Sequence, residues 1–344
     1  MSVESEITTQ NSPPKPPAPL HPAQIAALAL SITLCLATAL LLAIRPDSLA
    51  ALTVYPTWLW AIPGLGLAAL AFRRKRLRPF LCVVALWTAH LILLSEEPRS
   101  LLRFGKWPTT EWQEARSHAR AIRVVSINCA GGNKQALAEV APFHPDIVLI
   151  QETPQPREVE SAADALFGAG AGVWVNFDAS IIARGKVIPV KLSPPRGFFA
   201  QARVELRSGI TLNVFSVHTM TPPFRVDLWN PEAWRAFTAN RKTQRGQLEV
   251  LTKQMQKIPS EETIICGGDF NAMQGDPVPG TMAPRLRDAF VEAGRGWGDT
   301  ITNDTPGLRI DQVWISSQWK ATTVFAHKTI ESDHRMVICD LILR

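Results

Sequence analysis

The 344-residue chain has no Cys-x-x-Cys pair, no internal repeat, and little net charge over its larger C-terminal part. Its five cysteines, Cys35, Cys82, Cys129, Cys266 and Cys339, show no paired spacing. That excludes a zinc site or a disulfide framework and leaves them as buried free thiols. From Lys106 to Arg344 there are 27 Lys and Arg against 25 Asp and Glu, a net of +2 out of +6 for the whole chain. A strong nucleic-acid binder more often carries a basic stripe on its functional domain, so this charge balance is weak evidence for such a partner. No small-residue cleavage site follows the first apolar run closely, which argues against a removed signal peptide.

Long uncharged stretches fill the N-terminal third. Residues 1–22, with "SPPKPPAPLHP", read as a flexible proline-rich tail. Ala23–Ile44 then carries no charge over 22 residues, enough to cross a bilayer at about 1.5 Å per residue. Leu49–Phe72 is also uncharged and holds Trp58, Trp60 and Pro63, which a membrane helix tolerates. Pro79–Leu94, at 16 residues, spans only with adjustment of its flanks. These runs predict a membrane region over 23–95 with transmembrane helices at 23–44, 49–72 and 79–94, a linker over 96–119, and a soluble domain over 120–344. The first loop holds one basic residue, Arg45, whereas the second holds five within "RRKRLR", Arg73–Arg78. The positive-inside tendency puts that second loop in the cytoplasm. Three spans then make a multi-pass protein of the cell (plasma or inner) membrane, with its large domain on the extracytoplasmic side. Two spans would reverse the domain's side.

The pattern after the linker is short apolar segments separated by turns and helices. "IRVVSINCAG", "DIVLIQET", "FAQARVEL", "ITLNVFSVHT", "TIICGGDF", "IDQVWIS" and "HRMVICDLIL" read as strands. Helices are expected at Lys134–Ala141, Arg157–Phe167 and Arg241–Lys257, the last with Leu248, Leu251 and Met255 on one face. Strands mixed with helices predict an α/β domain around stacked sheets.

Polar residues end these strands. Asn128, Glu152, His218 and Asp269 each close an apolar segment, Asp311 opens one, and Asp333 and His334 precede one. Each has an ordinary explanation as a turn, cap or solvated end. Their shared position is what an active site on an α/β scaffold requires. Asn271 lies two residues after Asp269, so an extended chain puts both on one side. Gly, Asp and Asn also suit a turn, but within the full series of strand-end residues the shared face is the expectation and the turn is set aside.

The ordered series of Asn128, "QE" (Gln151, Glu152), "SVHT" (His218), "GGDFN" (Asp269, Asn271), "RID" (Arg309–Asp311) and "SDH" (Ser332–His334) resembles the endonuclease/exonuclease/phosphatase superfamily over residues 120–344. The chain departs from it at Met336, where many members carry proline. The resemblance implies a four-layer α/β sandwich with two mixed β-sheets, preceded here by N-terminal transmembrane helices. It implies a hydrolase of phosphoric esters that uses Mg²⁺, with Mn²⁺ as the alternative, held by Glu152 with Asn128 beside it. It pairs His334 with Asp311, sets Asp269 as the rival water activator, and makes Asn271 and His218 donors to phosphoryl oxygens. Asp333 would hold a second ion or orient bound water.

The expected substrate is a phosphodiester, in a nuclease or general phosphodiesterase, with a lipid-headgroup phosphoesterase (sphingomyelinase- or phosphoinositide-phosphatase-like) as the alternative. The lipid bilayer is the other expected partner, and no protein partner is predicted. The segment Thr221–Arg241 sets Trp229 and Trp234 beside Arg225, Arg235 and Arg241. It suits base stacking, docking at lipid headgroups, or plain loop packing.

Overall fold

In the computed structural model, which describes residues 19–72, 77–192 and 196–344, the chain divides into two units. One takes the residues up to Leu40 with Trp58–Leu91, the other Leu41–Thr57 with Ile92–Arg344. Most of the proline-rich tail, and residues 73–76 of the basic run, lie outside the described residues.

The first unit is helical and apolar. Ser31 Oγ donates to the Gly64 carbonyl at 2.6 Å and accepts Trp87 Nε1–H at 3.1 Å. Gly64 is required there, because the Trp87 ring would lie 2.0 Å from any Cβ at that position. Leu28, Cys35, Ala68 and Val83 are buried around this contact, whereas Leu30, Leu36, Ile62, Leu70 and Leu81 are exposed. Two helices, Pro22–Ile44 and Leu77–Leu94, are long and apolar enough to cross a membrane by length and composition; Thr57–Leu70 is apolar but shorter.

The single span expected over 49–72 is divided. Ala50–Thr53 forms one helical turn in the second unit, and the helical chain restarts at Thr57. Pro56 accounts for the break, since it has no N–H and turns Tyr55 away from the helical region. The 96–119 stretch is also no loose linker. Trp112 Nε1–H donates to the Ile122 carbonyl at 3.1 Å, and Glu96 pairs with Arg309 at 2.8 Å.

Two six-stranded sheets make the second unit. The first runs β11 (Trp319–His327), β12 (Met336–Leu343), β1 (Ala121–Asn128), β2 (Ile147–Gln151), β4 (Ala179–Ala183), β3 (Gly172–Trp174). The second runs β5 (Gly185–Pro189), β6 (Phe199–Leu206), β7 (Thr211–His218), β8 (Ile264–Asp269), β10 (Asp311–Ser316), β9 (Leu286–Asp288).

Alternation along β1 shows how the layers form. Ile122 and Val124 enter the core between the sheets, while Val125 and Ile127 join the outer core that also holds Ala136, Leu137, Val159 and Ala163. On the other sheet Phe215 and Cys266 pack with Leu248, Leu251 and Met255 of the helix Pro231–Met255. The result is the expected four-layer α/β sandwich.

All seven expected strands are present. β3, β4, β5, β9 and β11 were not foreseen, because β3 and β9 have only three residues and the others lack a sustained apolar run. The helix expected from Arg241 begins ten residues earlier, at Pro231, with the Asn230 side chain accepting Glu232 N–H at 2.9 Å. An Asn cap followed by proline is a strong helix start. Half of the Thr221–Arg241 segment is therefore helix.

Topology brings the strand ends together. Each sheet contains one parallel pair, β1–β2 and β7–β8, with Asn128 opposite Gln151 and His218 opposite Asp269. Antiparallel β10 starts with Asp311 opposite Asp269, and β4 starts with Ala179 opposite Gln151. All these ends lie at one edge of the sandwich. Gly267 lets the layers close there, and Gly268 lets β7 and β8 approach within their sheet. A Cβ on Gly267 would sit 2.8 Å from Leu149 Cδ1 of the facing sheet, and one on Gly268, at φ +147°, would sit 2.0 Å from the Val217 carbonyl. Gly268→Ala is accordingly expected to cost more than about 2 kcal/mol of stability, seen as an earlier urea midpoint.

Candidate active site

Asp269, at the end of β8 and 1% exposed, is the centre of the cluster. Its Oδ2 accepts Asn128 Nδ2–H at 3.1 Å and lies 3.7 Å from His218 Nε2 and 3.9 Å from His334 Nε2. Its Oδ1 accepts the Asn271 backbone N–H at 2.8 Å. Each imidazole is held from behind by a carboxylate: His218 Nδ1 lies 2.9 Å from Asp178 Oδ2, and His334 Nδ1 lies 2.9 Å from Asp311 Oδ2. A carboxylate at Nδ1 fixes the tautomer and turns Nε2 toward the cleft. The order across the site is Asp178, His218, Asp269, His334, Asp311. The two Nε2 gaps are too long for direct hydrogen bonds.

Glu152 stands one residue past β2 in a left-handed conformation at φ +48°. Its Oε1 accepts the other Asn128 Nδ2–H at 3.1 Å, and its Oε2 accepts the Gly131 N–H. Asn128 thus bridges the carboxylates of Glu152 and Asp269. Asn271, also left-handed at φ +47°, reaches the site through a turn and not along an extended strand, because β8 stops at Asp269. Its Nδ2 donates to the Thr219 carbonyl at 3.0 Å, and its own carbonyl accepts Gln244 Nε2–H at 2.9 Å.

Seven of the eight residues picked out by sequence share this network. Asp333 does not. Its side chain is exposed, its backbone carbonyl accepts Asn303 N–H at 2.7 Å, and it lines an open cleft with Asp304 and Lys328.

Two contributors escaped the sequence. Asp178 precedes β4, and without recognition of that short strand nothing marked it as another strand-end carboxylate. Ser332, noticed only as part of a motif, donates its hydroxyl to the Asn128 carbonyl at 2.7 Å and accepts His334 N–H at 3.1 Å. It ties the His334 loop to the end of β1. Beneath the cluster, Gln151 Nε2 donates to Ser216 Oγ across the sheets at 3.1 Å, and Ser216 donates to the Ile150 carbonyl at 3.0 Å. This braces the two parallel pairs.

Electrostatics separate the roles. Burial raises the Asp269 carboxyl to about 6, the Asp311 charge adds to the rise, and His334 and His218 oppose it. For His334, burial opposes protonation, but the Asp311 carboxylate, by charge and hydrogen bond, prevails with help from Asp269 and Asp333 and raises the ring to about 10. His218 is raised as well: burial works against it, and the hydrogen bond from Asp178 and the Asp269 charge outweigh burial. Near neutral pH the His334 ring is therefore cationic and Asp269 is ionised, while His218 is pushed toward its cationic form.

The residues also fit a hard divalent ion. Glu152 is a half-buried carboxylate beside the Asn128 amide, with no thiolate in the cluster. Asn128 Nδ2 bridges two carboxylate oxygens, a place that suits positive charge. Asp269, Asp311 and His334 can also bring ligand atoms within 4.8 Å of one another, but the His334 Nδ1 contact to Asp311 already occupies that pair.

The fold recurs in known proteins. A family model for the Endonuclease/Exonuclease/phosphatase family matches residues 125–334. Among solved structures, a family protein from Bacteroides thetaiotaomicron superposes with a TM-score of 0.51 at 14% identity, over 65% of this chain and 98% of that one. The mannosyl-6-phosphatase of the same species gives 0.51 at 15% identity, over 64% and 100%. A family protein from Beutenbergia cavernae gives 0.50 at 17%, over 65% and 72%. At these identities the structures speak for the fold alone. No curated protein matches the chain. The family model covers well over half of the chain, from β1 to His334, and on that ground the chain belongs to the Endonuclease/Exonuclease/phosphatase family of phosphoester hydrolases.

Proposed function

We propose that the protein is a membrane-anchored, divalent-metal-dependent phosphodiesterase in which Asp269 is the general base. The observation that carries this reading is the placement of Asp269 Oδ2 between His218 Nε2 and His334 Nε2, with each ring backed by its own carboxylate. A base is most useful with a pKa near the working pH. Asp269, at about 6, meets that condition, and His334, at about 10, does not. Asp269 takes the proton of the attacking water. His334 and His218, as imidazolium ions, donate from Nε2 to the phosphoryl oxygens where negative charge grows. Asn271 orients Asp269 through its backbone N–H.

Mg²⁺, or Mn²⁺ in its place, would be held by Glu152 and Asn128 and would offset charge on the phosphoryl and leaving oxygens. Asp178 is a positioning residue for His218. Asp178→Asn is expected to lower kcat about tenfold with little change in KM, and to move the alkaline limb of the pH profile to lower pH, measured by steady-state kinetics.

Membrane anchoring is supported by the outward-facing leucines of Pro22–Ile44 and Leu77–Leu94. With three spans, the domain lies on the side opposite the basic loop, which is the extracytoplasmic side by charge.

The test uses the full chain in detergent with Mg²⁺. Hydrolysis of an activated soluble phosphodiester that stops with EDTA is expected, and absence of hydrolysis of any diester would overturn the reading. Supercoiled plasmid in the same assay, at rising salt, separates a nuclease from other phosphodiesterases, because phosphate-backbone binding weakens steeply with salt.

A further inference from the structure

Met220–Asn230 directly follows His218 and Thr219 at the mouth of the site and carries large apolar side chains outward. Phe224 is 99% exposed, Trp229 84%, Val226 69% and Met220 49%. Four such residues within ten positions are unusual on a free surface and mark a contact site.

The structure argues against nucleic acid as the occupant. Of the three arginines between Thr221 and Arg241, Arg225 is paired with Asp227 at 2.5 Å, Arg241 is buried against Asp276 at 2.8 Å and Thr53 Oγ1 at 2.7 Å, and Arg235 is exposed on the helix beyond the loop. Trp234 turns inward, donating Nε1–H to the Leu228 carbonyl at 2.7 Å beside Val54 and Phe237. The large side chains that Met220–Asn230 turns outward are apolar, and its one arginine is neutralised by Asp227.

The loop is also held by the right partner for a lipid reading. Tyr55 OH donates to the Arg225 carbonyl at 3.3 Å. Tyr55 belongs to the short segment that begins just after the apolar helix ending at Ile44 and ends where the next begins at Thr57. Arg245 to Asp47 at 2.6 Å and Thr238 to the Asp47 carbonyl at 3.1 Å fix that segment to the sandwich. A bilayer that takes up the helices on either side leaves Tyr55 at its surface, and with it the loop.

We infer that Met220–Asn230 is a bilayer-docking loop whose Phe224, Val226 and Trp229 enter the headgroup region and hold the active-site mouth against lipid, so that lipid-borne phosphoesters are the substrate class. Trp and Phe favour that depth, and burial of apolar area drives such docking. This inference rests on the membrane-anchored reading above.

The experiment uses the full chain reconstituted in phosphatidylcholine nanodiscs, with a polarity-sensitive fluorophore on one cysteine at a time. Phe224→Cys and Val226→Cys report the loop. Ser208→Cys, exposed on the β6–β7 turn at the other end of the strands, is the remote control, and these three are made in a Cys82→Ser background. The exposed Cys82 of Leu77–Leu94 reports the span. Blue-shifted emission and quenching by spin-labelled phosphatidylcholine at 224, 226 and 82, but not at 208, are expected. Quenching at 82 with none at 224 or 226 would overturn the docking loop while leaving the span in place. Failure at 82 would overturn the anchoring itself.

A response at 224 to added single-stranded DNA and not to lipid would also overturn the inference. As a functional readout, the triple variant Phe224→Ser, Val226→Ser, Trp229→Ser is expected to raise KM at least about tenfold for a vesicle-borne phosphodiester while leaving kcat/KM for a soluble diester unchanged. Equal losses on both substrates would overturn the assigned role.

Discussion

Replacing His334 by alanine is expected to lower kcat/KM for a soluble phosphodiester about a thousandfold, the range for losing a charged donor that acts in the transition state. The pH profile makes the expectation specific. Asp269 works ionised, so activity rises as pH climbs through about 6; His334 works protonated, so activity falls as pH passes about 10. The acid limb thus belongs to Asp269, and the alkaline limb to whichever of His218 and His334 loses its proton first. Without His334 the limb near 10 should vanish from what activity is left, and His218 would set any remaining alkaline limit.

Alanine also leaves the buried Asp311 without its ring, and its Oδ1 already has no partner among the described residues. An unpaired buried carboxylate destabilises the fold. His334→Asn supplies the control, because its amide can still meet Asp311. A large loss in both variants, with thermal midpoints within a few degrees of wild type for the asparagine, would locate the effect in chemistry. Survival of the limb near 10 in either variant would refute the role given to His334.

Glu152→Gln should produce the second large loss, and a different kind of loss. Glutamine keeps the size and one acceptor oxygen but removes the charge that a hard divalent ion requires. The concentration of Mg²⁺ for half-maximal activity is expected to rise at least about tenfold, with kcat at saturating metal down about a hundredfold. Titrating Mg²⁺ and Mn²⁺ by activity, with calorimetry as the binding check, reads both numbers. Unchanged metal dependence would shift the ion to the Asp269, Asp311 and His334 group. Asp333→Asn serves as contrast: exposed and outside the network, it is expected to change half-saturation by less than about twofold.

How far the sequence reaches is clearest at single residues. Asn128, Glu152, His218, Asp269, Asp311 and His334 could be picked out because each sits where an apolar run starts or stops, a pattern carried by the chain itself. Asp178 could not, since β4 is five residues long and its neighbour β3 only three. Short strands are specified by pairing partners and not by their own pattern. Asn271 does lie beside Asp269, but the shared face of an extended strand is not the reason: β8 stops at Asp269, and a turn at φ +47° brings Asn271 there. The break at Pro56 was visible as a residue, but the runs on both sides of it are equally apolar. Only the packing of Ala50–Thr53 with the sandwich separates them.

By itself the sequence determined the class of fold, the seven principal strands and most of the chemical groups, because alternation, strand-end polarity and motif order are local properties that survive without coordinates. The tertiary structure alone decided which groups share an oxygen. Asp269 meets His218 and His334 from strands far apart in the chain, their rings are set by Asp178 and Asp311, and burial divides the protonation states among them. It decided the fate of the Trp and Arg residues between Thr221 and Arg241 too, taking Trp234, Arg225 and Arg241 into internal contacts and leaving Phe224 and Trp229 outside. The physical reason is the same in both cases: burial and pairing depend on which neighbours arrive from distant parts of the chain, and no local pattern contains that information.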